Sequence, residues 1–207
     1  MVHERMDGGR SAESEKTVDN FKESYKNTCK LVTNEIGETL ARVDVEQLER
    51  AVAAILLAEK VFFIGVGRVM LCLQAVTKRL AHLGINAHYV GEITEPAMTS
   101  KDLLIVGSGS GTTLFPVSIA RKAKSLGATV IHIGSNPKSD MRDIADFMVR
   151  IPVRTKLYLD DEIESKQPMT SLFEQTLLLL GDILAKMIID DRNVSLKDLW
   201  QYHANLE

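Results

Sequence analysis

Cysteine, long apolar runs and an excess of charge of either sign are what this chain has least of. Cys29 and Cys72 are its two cysteines in 207 residues. Thiols so spaced match no metal-ligand pattern and make no disulfide framework, so both are expected reduced. The N-terminus carries no apolar run after its charges, which argues against a secretory signal. Together these features point to the cytoplasm. The Asn193-Val194-Ser195 sequon is therefore read as chance. Lys and Arg number 25 against 28 Asp and Glu, a net charge of −3. No broad basic face is available, so nucleic acid is not an expected partner. The longest apolar runs, such as Ala51–Ala58, fall far short of the roughly 20 residues that span a bilayer, so no membrane partner is expected.

What remains is a globular composition, 45% hydrophobic and 26% charged, sufficient for one core. The length fits one domain, or one domain with an arm. Residues 1–16 are polar and are read as a disordered arm or tag remnant. Residues 17–207 are read as a single domain, with helices over 17–58 ahead of an α/β core and C-terminal helices over 59–207. Phe21, Tyr25, Cys29, Val32 and Ile36 recur at helical spacing from Thr17 to about Glu38. Asp44 is a good N-cap for a second helix carrying Leu48, Val52 and Ile55. The stripes on both helices need a partner, either the core or another subunit.

After residue 58 the texture changes. Val61–Ile64, Ala87–Val90, Leu103–Val106, Thr129–Ile133 and Phe147–Ile151 are short apolar runs, four of them closed by glycine and the last by Pro152. Helical patterns separate them at 68–83, 113–126 and, briefly, 139–145. Runs of this kind are strands buried on both faces. The pattern predicts a three-layer, flavodoxin-like α/β fold with a five-stranded parallel sheet. A polar, irregular segment over 153–169, within which the acidic stretch Arg154–Gln167 is read as a solvated surface loop, precedes a long apolar helix from about Thr170 to Asp190. A last short helix is capped by Ser195.

Ligands of such sheets bind beyond the carboxyl ends of the strands. The third strand is followed by Gly107-Ser108-Gly109-Ser110-Gly111-Thr112-Thr113. Glycines let the backbone approach an anion, hydroxyls donate to it, and the next helix adds its positive end. The loop has no lysine or aspartate, which excludes a Walker-type nucleotide site. A phosphomonoester held without metal fits best. Gly65-Val66-Gly67-Arg68 opens like a dinucleotide fingerprint but lacks its third glycine. His82, His88 and His132 sit at helix or strand positions and are read as packing residues; nothing spaces them as metal ligands.

The chain resembles the sugar isomerase (SIS) domain family, and within it the 6-phospho-3-hexuloisomerase branch. The resemblance is carried by Gly65-Val66-Gly67-Arg68, Val90-Gly91-Glu92, Ser108-Gly109-Ser110-Gly111, Ser135-Asn136-Pro137, Leu172-Phe173-Glu174 and the ending His203-Ala204-Asn205-Leu206-Glu207. It implies interconversion of 3-hexulose 6-phosphate and fructose 6-phosphate through an enediolate, with neither metal nor redox cofactor. It implies Glu174 as the base and His203 as a proton shuttle, acting in its own or a neighbouring site. Ser108, Gly109, Ser110, Gly111, Thr112 and Thr113 are implied for phosphate, and Gly65, Gly67, Arg68 and Glu92 for the rest of the sugar. A homotetramer is implied as well. Two positions depart from the family: Val69 stands where serine is usual, and Thr112 where glutamate is usual. Three rivals remain: an isomerase of another sugar phosphate such as arabinose 5-phosphate, a phosphosugar sensor without catalysis, and a nucleotide-binding module.

Overall fold

The computed structural model describes residues 12–206. Residues 1–11 of the expected arm lie outside the described residues. Residues 12–16 belong instead to the first helix, α1 (Ala12–Ala41), which begins ahead of the expected Thr17. Helix α2 (Val45–Leu57) starts where expected, with the Asp44 carboxylate accepting from the Glu46 N–H at 2.9 Å. Such a cap satisfies one of the donors that a helix start leaves unpaired.

The five strands are β1 (Val61–Ile64), β2 (Ala87–Tyr89), β3 (Leu103–Gly107), β4 (Thr129–Gly134) and β5 (Phe147–Arg150). They form one parallel sheet in the order β2-β1-β3-β4-β5. This is the flavodoxin-like order, and its switch point lies between β1 and β3. Both of those strands are buried along their whole length. Alternation splits each strand between two cores. Phe63, Ile105 and Ile131 pack with Ile55, Leu73 and Leu177 on one face. Phe62, Leu104 and Val130 pack with Val117 and Met141 on the other.

The crossovers are α3 (Gly67–Ala81), α4 (Leu114–Ser125) and a 3₁₀ turn over Asp140–Asp143. The turn replaces the expected helix over 139–145. Met141 is its one buried residue, too little apolar surface to hold a longer helix. The long helix α5 (Ser171–Asp191) lies against α3. Gly181 permits that approach, because a Cβ there would sit 2.2 Å from a Val76 methyl. A second 3₁₀ turn, Asp198–Tyr202, follows near the C-terminus. Among the described residues no helix is long and apolar enough to cross a membrane.

Helix α1 has two characters. Ile36 and Leu40 pack on the core, whereas Phe21 and Tyr25 are exposed. Between them Glu35 is buried and accepts from Ser165 Oγ (2.6 Å), Lys166 N (2.9 Å) and Gln167 Nε2 (3.0 Å). Burial opposes its charge, but these hydrogen bonds outweigh that and hold the carboxyl below its usual range.

Candidate active site

The loop after β3 is fixed by its carbonyl groups. Ser108 O accepts from His132 Nε2 at 2.8 Å. Gly109 O accepts from the Ser135 and Asn136 N–H groups at 2.9 and 3.2 Å. Ser110 O accepts from Asn136 Nδ2 at 3.3 Å. Three consecutive carbonyls are thus tied down to the end of β4 and the residues after it. The N–H groups of Gly109 and Ser110 find no acceptor among the described residues. Ser108 Oγ lies 3.2 Å from Thr113 Oγ1, and Ser110 Oγ lies 3.1 Å from Thr112 Oγ1. Gly111 has a φ of 65°, and a Cβ there would meet Ser139 Oγ at 2.1 Å. Only glycine fits. Free amides, four hydroxyls and the start of α4 converge, which is the chemistry of an anion cradle.

The first turn of α5 borders that loop. A Cβ on Gly109 would lie 3.3 Å from Thr155 Cγ2 and 3.7 Å from the Phe173 ring. Next to Phe173, Glu174 is 6% exposed. Its Oε1 accepts from Thr170 Oγ1 at 2.9 Å, and its Oε2 accepts from Arg68 Nε. Arg68 follows Gly67, whose φ of 57° turns the chain from β1 into α3. The Glu174 hydrogen bond and charge push the guanidinium's pKa up, while its side chain stays 66% exposed. Cys72 lies close enough that burial first, and the Glu174 charge second, raise its thiol pKa. Gly65 supplies room: a Cβ there would lie 3.0 Å from a Val69 methyl. The same methyl lies 2.9 Å from where a Gly107 Cβ would be, so Val69 fills the space between the ends of β1 and β3.

The segment over 153–169 departs from the expected solvated loop at one of its acids, for Asp160, Asp161 and Glu164 are exposed and Glu162 is not. Glu162 is buried and accepts from Ser135 Oγ (2.6 Å) and Leu159 N (2.9 Å). Asp161 accepts two bonds from Arg150, at 2.6 and 2.8 Å, and Glu164 pairs with Arg154. Glu162 is thus taken inside the fold, while Asp161 and Glu164 make exposed pairs. The segment forms one wall of a cavity of about 370 Å³, lined among others by Arg154, Thr155, Lys156, Met169 and Thr170. Thr155 lies over the Ser-Gly loop and Thr170 bonds Glu174, so the cavity joins the two.

Two candidate residues stand apart. Glu92 Oε1 lies 2.5 Å from His88 Nδ1, and His88 Nε2 lies 2.9 Å from Asn86 Oδ1, at the β2 edge of the sheet. No hydrogen bond joins Glu92 to the Ser-Gly loop or to Glu174 among the described residues. His203 stacks on His82, with ring centroids 5.1 Å apart, and contacts Trp200. It lines a cavity of about 510 Å³ beside Arg79, Asp182 and Lys186. Asp182 and Lys186 lie about 12 and 18 Å along α5 from Glu174, at 1.5 Å rise per residue. One chain therefore gathers Glu174, Arg68 and the Ser-Gly loop but does not bring His203 to them.

Sequence reasoning missed His132, Thr155 and Thr170. Thr170, four residues before a carboxylate at a helix start, carried the one usable signal. Among the described residues no cluster of three or more His, Cys, Asp and Glu side chains is placed to hold a metal.

The model of the SIS domain family matches residues 54–184, more than half of the chain. The 3-hexulose-6-phosphate isomerase of Mycobacterium gastri is 37% identical over 198 residues, covering 96% of this chain and 99% of that one. The enzyme of the same name from Bacillus subtilis (strain 168) is 37% identical over 176 residues, covering 85% and 95%. A crystal structure of a Methanococcus jannaschii protein, described as inferring the function of a 3-hexulose-6-phosphate isomerase, is 30% identical. It superposes with a TM-score of 0.75 over 87% of this chain and 99% of that one. The anion cradle at the switch point, the carboxylate beside it and these likenesses agree: the chain belongs to the SIS domain family.

Proposed function

We propose that the protein interconverts 3-hexulose 6-phosphate and fructose 6-phosphate. The phosphate would sit in the Ser-Gly loop, on the free amides of Gly109 and Ser110 and the hydroxyls of Ser108, Ser110, Thr112 and Thr113. The Glu174 carboxylate takes the proton from C2, giving a 2,3-enediolate, and returns it to C3, leaving the carbonyl at C2. General bases of this kind contribute on the order of 10²–10⁴ in rate. Arg68 is the cation at hand for the enediolate oxygens. His203, an imidazole that can both give and take a proton, carries the proton between those oxygens.

The observation that carries this reading is the buried Glu174, bonded by Thr170 and Arg68, beside a loop whose Ser108, Gly109 and Ser110 carbonyls are tied down to β4 and the residues after it. We read the protein as a cytoplasmic homotetramer. Val18, Phe21 and Tyr25 form an exposed stripe on α1 suited to a second copy. Since His203 lies far along α5 from Glu174 of its own chain, we assign it to the site of a neighbouring subunit.

Val69 keeps a non-catalytic sensor as the second reading, because a methyl occupies the place where the family has a hydroxyl. Supplying 3-hexulose 6-phosphate and arabinose 5-phosphate separately distinguishes the readings. Fructose 6-phosphate formation in a coupled assay, with little turnover of the pentose phosphate, is expected. No turnover of either, with both raising the melting temperature, would establish the sensor instead.

A further inference from the structure

We propose that His132 is the positioning residue of the phosphate loop: its Nε2–H, donating to the Ser108 carbonyl, holds the Gly109 amide aimed at the phosphate. The inference rests on the phosphate reading of that loop.

His132 lies in β4 opposite Val106 of β3 and is 2% exposed. Strand alternation sends Ile131 and Ile133 into the α3–α5 core and leaves Val130 in the α4 core. His132 shares the Val130 side, where an imidazole is out of place unless bonded. Its partner is a carbonyl, so Nε2 carries the proton and Nδ1 is bare. Burial pushes its pKa below the ordinary 6.5, which favours that neutral form.

The ring is wedged between glycines. A Cβ at Gly134 would lie 2.3 Å from His132 Nε2, and one at Gly111 would lie 2.9 Å from its Cε1. One side chain thus meets the Ser-Gly loop at Ser108 O and at Gly111, with Gly134 of β4 on its other side. A trans peptide is planar, with its C=O and N–H pointing opposite ways. Pinning Ser108 O inward therefore aims Gly109 N–H outward. Gly109 O has two backbone donors and Ser110 O has Asn136, whereas Ser108 O has the Gly111 N–H at 3.2 Å and, among the described residues, one side-chain donor, His132. Without His132 that carbonyl keeps a single bond, and it comes from within the loop itself, so nothing outside the loop fixes the direction of the Gly109 amide.

The test compares His132→Met, similar in length but without a donor, with His132→Gln, whose amide reaches the Nε2 position. Inorganic phosphate affinity by calorimetry reads the loop without needing turnover; kcat and KM for the sugar phosphate read the reaction. His132→Met is expected to weaken phosphate and raise KM by about tenfold, the scale of one lost hydrogen bond to an anion site, with kcat within about threefold. His132→Gln is expected to recover most of the loss. Wild-type phosphate affinity in His132→Met, or equal damage in both variants, would overturn the proposal. Should His132→Met not fold, His132→Gln against His132→Asn, which cannot reach Ser108 O, makes the same comparison. Phosphate affinity that follows the donor in a chain without isomerase turnover would sustain this inference and overturn only the proposed reaction.

Discussion

The two ends of α5 are built differently. At its start, Glu174 is buried, bonded by Arg68 and Thr170 and next to the Ser-Gly loop. Further along, Asp182 and Lys186 are exposed and paired with Arg79 at 3.1 Å and Asp190 at 2.5 Å, beside the cavity that holds His203. Glu174 is buried although Arg68 is largely exposed, and a buried carboxylate left without its donors is costly. Exposed pairs of the second kind contribute on the order of 0–1 kcal/mol. One end is thus a finished polar site within a single chain. The other holds His203 against His82 and Trp200. The contrast separates what one chain gathers, the Ser-Gly loop and the carboxylate, from what we propose a second copy supplies.

The sharpest way to break that contrast is Glu174→Gln. Its kcat is expected to fall by about 10²–10⁴, with KM within about twofold, as for loss of a general base. A normal kcat in the coupled assay would remove Glu174 from its role. Next in size is Ser110→Ala, expected to weaken phosphate by about 1–3 kcal/mol through an anion left short of a donor. Unchanged affinity by calorimetry would place the phosphate elsewhere.

Acidification probes the cradle from below. The folded His132 pKa lies below its unfolded value near 6.5, so the unfolded chain binds the extra proton first. Stability is therefore expected to fall as pH drops below 6.5, down to the folded pKa. Arg142 and Asp146 line the cavity that His132 shares, and no charged partner offsets its burial. The carboxyls held low, at Glu35, Asp102, Asp146 and Asp161, have ordinary values of 4.5 for the glutamate and 3.8 for the aspartates. Their contribution is lost only at more acid pH. Between about pH 6.5 and 5 the melting temperature of His132→Gln should fall less steeply than that of the wild type; parallel curves would contradict this. The smallest effect belongs to the far end of α5, where Lys186→Ala should change stability by less than about 0.5 kcal/mol in urea unfolding. A larger loss would mean that end is not the loose surface described.

The sheet was legible because its signals are local. Apolar runs closed by glycine mark β1, β3 and β4, and Asp44 marks the start of α2. The Ser-Gly loop was legible for the same reason. What escaped notice depends on partners distant in sequence. His132 meets Ser108 across 24 positions, and Arg68 meets Glu174 across 106. Glu162 looked solvated like its neighbours because Ser135 and the backbone it accepts from are set by the fold, not by spacing. Glu174 stood out by resemblance, since a glutamate in the first turn of a helix is ordinary on its own.

Mixed oligomers test the division between the two ends of α5 most directly. Glu174→Gln and His203→Ala chains, each expected to be nearly inactive, would be co-expressed and the hybrids isolated. If one subunit's His203 serves its neighbour's Glu174, a hybrid regains intact sites, and activity well above either parent is expected. Hybrids no more active than their parents would contradict the division, and with it the assignment of His203 to a neighbouring site.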